Sequence, residues 1–280
     1  MWKFATLLWS ICLLSGVLQA QGDLYDYNHS LRYANYLVKT RQYQLAAEEW
    51  ERLVYLAPEN DSLKLQFVRT LRYKKDYQLG VRKTESWYID LPAVPRPFAV
   101  EYSRMLLLSA AYTKAEYFVD TNQHLTSEDR SFFHLNRLLL GQDWEGAIHH
   151  FGSSPGMKAL NPKYQSLIND LQQRKYKRPW VAMSLSAVVP GSGKLYTRDW
   201  QDALLSMLTI GTFAWQTYNG FRRDGTESVY GWVFGTVGFG FYTGNIYGSY
   251  KAARKYNHDL DHHFQQEAHD LFVRSMDSPR

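Results

Sequence analysis

The sequence has one cysteine, Cys12. A single thiol excludes an intramolecular disulfide and any cysteine-built metal site. An excess of one charge is also missing: 32 Lys+Arg stand against 27 Asp+Glu, a net of +5. The one short basic cluster is Arg174-Lys175-Tyr176-Lys177-Arg178, too brief to track phosphates, so nucleic acid is not an expected partner. Catalytic signatures are absent as well. His258 and His262 stand four apart near the carboxyl end, but no HExxH pattern surrounds them. That polar segment reads as a solvated helical tail. Gly191-Ser192-Gly193-Lys194 lacks two parts of a P-loop, because Val188 and Leu195 stand where a glycine and a Ser or Thr are needed. No catalytic residue, cofactor or metal is expected, and the chain is not read as an enzyme.

What is abundant is aromatic: 21 Tyr and 9 Trp, suited to membrane–water boundaries and protein interfaces. Residues 1–20 carry Lys3, then a nearly continuous apolar stretch from Phe4 to Leu18, then Ala20. This predicts a secretory signal peptide cleaved before Gln21 and a destination outside the cytoplasm.

Residues 21–173 contain an internal repeat. Offsetting the chain by 34 aligns Leu31 with Leu65, Leu37 with Leu71, Tyr43-Gln44-Leu45 with Tyr77-Gln78-Leu79, Ala46 with Gly80, and Pro58 with Pro92. The aromatic-x-x-small element recurs from Tyr112 to Ala115 and from Trp144 to Ala147. The period and these positions resemble tetratricopeptide repeats. The resemblance implies paired antiparallel helices, in four repeats at about 27–60, 61–94, 95–127 and 128–158. The small residues Ala46, Gly80, Ala115 and Ala147 then permit close helix approach. Trp50 extends the inner face, and Pro58 and Pro92 end the second helices. On this phase Asn35, Lys39, Arg69, Arg72 and Tyr73 face the groove of the stack, where they would favour a partner bearing carboxylates.

From 174 to 257 the composition changes. Pro179–Gly193, Ala203–Phe221 and Ser228–Tyr250 contain no charge. As helices the last two would reach about 28 and about 34 Å, against about 30 Å of hydrocarbon. They predict a helical membrane hairpin, turned by residues 222–227 and preceded by a short re-entrant or interfacial segment. Gly240, Gly244 and Gly248 recur every four residues, a ridge that allows close helix packing and self-association. Asn245 falls within or at the edge of the membrane and needs a partner.

Pro190-Gly191-x-Gly193-x-x-Tyr196, with Gly244-Asn245-Ile246-Tyr247-Gly248 further on, resembles a family of small, largely uncharacterised bacterial membrane domains that often follow tetratricopeptide repeats. The resemblance implies a bacterial membrane location, expected to be the inner membrane, and the cleaved signal peptide puts the repeats in the periplasm. The combined expectation is an all-α chain: a tetratricopeptide-like solenoid, a membrane hairpin, and a polar helical tail over 258–280. Its expected role is a membrane-anchored protein-interaction scaffold of the cell envelope, in membrane-protein assembly or biogenesis, with envelope proteins and the lipid bilayer as partners. The alternative is an oligomeric small transport or channel component, in which Asn245 and tyrosines line a path.

Overall fold

The computed structural model describes residues 26–154 and 162–277. The expected signal peptide, Cys12 and the cleavage point before Gln21 lie outside the described residues. Thirteen α-helices and two short 3-10 turns make up the described chain, and no strand occurs among the described residues. The chain divides into two compact units, Met1–Arg137 and Leu138–Arg280. The boundary expected at 173/174 therefore falls inside the second unit.

The first unit is a succession of helix pairs: α1 (Tyr27–Lys39), α2 (Tyr43–Leu56), α3 (Asp61–Tyr73), α4 (Tyr77–Trp87), α5 (Arg96–Leu108), α6 (Tyr112–Thr121) and α7 (Ser127–Leu140), which runs across the division. From α1 to α6 each helix packs on its chain neighbour, and α3 also packs on α5, giving a repeat-like array. Ala46, Trp50, Gly80 and Ala115 are buried between helices. Pro58 lies in the exposed turn after α2, and Pro92 in the 3-10 turn Leu91–Ala93.

One turn recurs. Arg41, Lys75 and Ala110 all take a left-handed φ, from 57 to 66°, two residues before Tyr43, Tyr77 and Tyr112 open the next helix. Each turn bonds back twice. Arg41 N donates to Val38 O and Gln42 N to Leu37 O, and the pairs Lys75–Arg72 with Asp76–Leu71, and Ala110–Leu107 with Ala111–Leu106, repeat this. These are Schellman turns, which satisfy the last carbonyls of one helix while aiming the next. The same turn appears at Gln142 before Trp144 and at Arg198 before Trp200, both in the second unit.

The second unit comprises α8 (Trp144–Ser153), α9 (Pro162–Gln173), α10 (Pro179–Val188), α11 (Ser192–Tyr196), α12 (Trp200–Asp224) and α13 (Val229–Asp277). Ala147 is buried in α8. The α12–α13 hairpin turns at Gly225, whose φ of +62° suits glycine. Helix α13 runs unbroken for 49 residues. Its first half packs on α12 and α10, and it also packs on α9. The expected solvated tail is helical, but one face of it is buried. Phe264, Ala268, Leu271 and Phe272 lie at helical spacing in the core. Trp144 packs its ring 6.1 Å from Phe264 and donates Nε1–H to Asp261 at 3.0 Å.

No described helix is long and apolar enough to cross a membrane. This corrects the expectation that each arm spans by itself. The uncharged runs are diluted by Ser206, Thr209, Thr212, Gln216, Thr217 and Asn219 in α12, and by glycines and threonines in α13. Absence of charge is a weaker property than apolarity.

Candidate functional site

Two places gather the singled-out residues. In the first unit, Arg72 stands in the last turn of α3 and Glu101 in the second turn of α5. Arg72 is buried rather than solvent-facing, and its Nε donates to Glu101 Oε2 at 2.9 Å. Arg104 donates to Glu101 Oε1 at 2.5 Å, and Arg69 Nε lies 3.8 Å from the same oxygen. Burial opposes the charge on Arg72, but the Glu101 carboxylate overrides it and holds the guanidinium above its ordinary range. Three guanidinium groups around one carboxylate leave two positive charges. The Arg72 guanidinium lies 4.5 Å from the Tyr73 ring centre, and Tyr73 stacks on Tyr43 at 5.3 Å.

Asn35 and Lys39 take no part in this cluster. Both are exposed on α1, and the Asn35 amide donates to Leu31 O of its own helix at 2.8 Å. The residues expected to line a groove are thus less basic as a set than their composition suggests, because Arg72 already has its carboxylate. Glu101 carries no local sequence signal towards Arg72, which stands 29 positions earlier.

In the second unit the Pro190-to-Tyr196 motif forms a tight connection between α10 and α12. Gly191 has a φ of +87°, and a Cβ there would lie 2.5 Å from Ala203 O. Gly193 is seated against α10: a Cβ would overlap Ala182 O and lie 2.6 Å from Ser186 Oγ. Its N–H donates to Ser186 Oγ at 2.9 Å, which shares a 2.6 Å bond with Ser249 Oγ on α13. Tyr196 accepts from Arg178 N at 3.3 Å, and the Lys177 ammonium lies 4.5 Å from its ring centre. Asn257 clasps the backbone of Lys177, accepting at 2.7 Å and donating at 2.9 Å. The motif therefore fastens α10 and α11 to α13.

The glycines of α13 divide by role. Gly231 and Gly238 meet α12 directly: a Cβ on either would lie 2.8 Å from Phe221 or 2.9 Å from Phe213. On Gly240 and Gly244, expected to form a ridge for close packing on another helix, a Cβ meets no atom of this chain within 4 Å. They line a pocket of about 520 Å³ between α12 and α13, with Lys194, Ser206, Phe241 and Asn245 on its wall. Gly248 lies at its margin, its Cβ position 3.7 Å from Lys194 Cε. Asn245 is buried, and neither its Oδ1 nor its Nδ2 has a hydrogen-bond partner. Tyr247 is exposed, with the Lys251 ammonium 4.9 Å from its ring centre. Lys194 belongs to the motif as written, but only the fold turns it to face the glycines.

Among the described residues, no three of His, Cys, Asp and Glu come together as a metal site would require. No family model, curated protein or solved structure matches the chain.

Proposed function

We propose that the chain is a membrane-anchored protein-interaction scaffold of the bacterial cell envelope. The repeat array is its partner-binding part, held on the periplasmic side of the inner membrane, and the α12–α13 hairpin is its anchor. Envelope proteins are the partners, in the assembly or biogenesis of membrane proteins. Lipid contact is made by the hairpin as a pair, rather than by either arm as a single apolar span.

The observation that carries this reading is the uncovered apolar face of the hairpin. Between Leu204 and Phe241 thirteen large hydrophobic side chains are exposed, among them Leu205, Leu208, Trp215, Val237 and Phe239. Uncovered apolar surface on that scale marks a membrane or partner contact. Its layout favours lipid. Trp180, Trp200 and Tyr247 are exposed at the base of the hairpin, Trp215, Tyr218, Tyr230 and Trp232 towards its tip, and mainly aliphatic groups and phenylalanines between. Arg222 and Arg223 close the tip. Aromatic girdles flanking an apolar zone fit the two faces of a bilayer. Several polar groups along the arms are satisfied inside the hairpin, as lipid demands. Ser206, Thr212 and Thr217 each donate to the carbonyl four residues earlier, at 2.7 to 2.8 Å, and Gln216 accepts from Tyr230 at 2.8 Å.

Vesicle flotation of the full chain tests the anchor. The wild type is expected to rise with vesicles of phosphatidylcholine and phosphatidylglycerol. Leu205→Glu, Leu208→Glu and Phe239→Glu combined should leave it at the bottom of the gradient with its helical content unchanged. Equal flotation of both proteins, or of neither, contradicts the reading.

A further inference from the structure

The pocket beside Lys194 holds more than an anchor needs. Its floor is the bare backbone of Gly240 and Gly244, and its walls include Leu205, Val237 and Phe241. At about 520 Å³ it lies in the range of small-molecule sites, about 300–1,000 Å³. Four polar side chains line it, Lys194, Ser206, Thr209 and Asn245, and two of them matter most. Lys194 Nζ donates to Ser206 Oγ at 2.9 Å and lies 3.8 Å from Asp202 Oδ2, an ion-pair contact beyond hydrogen-bond distance. Asn245, only 6 % exposed, has an amide that nothing in the protein satisfies, which is an expensive state for a buried polar group.

We propose that this pocket binds one alkyl chain ending in an anionic oxygen head, with the chain along Gly240 and Gly244 and the head held by Lys194 and Asn245. The lysine supplies a point charge suited to a carboxylate or phosphate oxygen. Asp202 beside it disfavours a doubly charged head, so the head is a monoanion: a carboxylate or a phosphodiester. The amide of Asn245 donates to that head through Nδ2. A helix from a second copy fits less well. The three-glycine ridge that would receive it is interrupted at Gly248, where the Lys194 stem stands 3.7 Å from the Cβ position. The inference rests on the anchoring reading only for the ligand's source.

The test uses the full chain purified in dodecyl maltoside, with oleate, phosphatidylglycerol and uncharged monoolein as separate probes in titration calorimetry and native mass spectrometry. One equivalent of oleate or of phosphatidylglycerol should bind, and the two arms separate a free fatty acid from a phospholipid head. Gly244→Leu, which fills the pocket, and Lys194→Gln, which removes the charge, should each weaken binding at least tenfold. Three results would overturn the proposal: monoolein, an uncharged single-chain lipid, binding as tightly as the anionic probes, wild-type affinity in both variants, or loss of a dimer in Gly244→Leu with ligand binding unchanged. Alkaline extraction of membranes carrying the same variants keeps the two readings apart. Variants that lose the ligand but stay in the membrane support the pocket and leave the anchor standing. A wild type released by alkali sinks the anchor, while calorimetry in detergent still decides the pocket.

Discussion

At the scale of single residues, the first unit is held by polar groups that each serve two elements. Asn122 is fully buried. Its amide donates to the carbonyls of Leu91, Pro92 and Val94 at 3.0 to 3.3 Å and accepts from His124 N and Leu125 N at 3.0 Å. Asn122→Ala strands those loop groups and should cost about 2–3 kcal/mol, read from urea midpoints. Asp129 closes a reciprocal cap with Thr126 and takes a two-pronged bond from Arg96, at 2.7 and 3.1 Å. Burial raises the Asp129 pKa, but the bonds from Arg96 and Thr126 outweigh it and hold the carboxyl below its ordinary range. The Lys114 and Tyr102 bonds do the same for Glu85. A depressed folded pKa means the stabilisation is complete above the unfolded value, about 4, and is lost as pH falls through the folded value. Stability of the wild type should therefore decline below about pH 4, and Asp129→Asn should flatten that decline. An unchanged pH profile in the variant would contradict this assignment. Arg72 and Arg69 should also separate. Arg72→Met removes one of the charge-assisted bonds to a buried carboxylate that Arg104 still holds, and should cost about 1.5–3 kcal/mol. Arg69→Glu should leave the fold intact and reduce capture of an envelope partner, so loss of folding in Arg69→Glu would count against the cluster as described.

At the scale of elements, the repeated Schellman turn sets the angle between paired helices. Lys75 holds a φ of 66° without being glycine. Left-handed backbone costs an L-residue about 1–2 kcal/mol, so Lys75→Gly should raise the unfolding midpoint and Lys75→Val should lower it. Opposite shifts would show that the turn is not strained. Pairing was readable in the sequence because the spacing of Tyr43, Tyr77, Ala46 and Gly80 is a local property. The partner of each packed group was not. Gly231 and Gly240 look alike in sequence, yet one touches α12 and the other faces open space, because the difference depends on where the hairpin arms cross. The buried stripe Phe264, Ala268, Leu271 and Phe272 was legible in principle from its helical spacing. Its histidine and aspartate neighbours masked it, as they occupy the opposite faces of the same helix.

At the scale of the molecule, one chain carries both a helix-pair array and a hairpin whose large hydrophobic side chains stand exposed. Charge-free runs signalled the hairpin but overstated its apolarity, since threonine, glutamine and glycine carry no charge and are still not lipid-like. What compensates is geometry. Several hydroxyls bond back to carbonyls of their own helix, while leucine, valine and phenylalanine face outward. The most direct test of that claim is extraction of cell membranes with alkaline carbonate. The full-length chain is expected to stay with the membrane pellet and to be released only by detergent. Recovery of a folded monomer in the alkaline supernatant would contradict it.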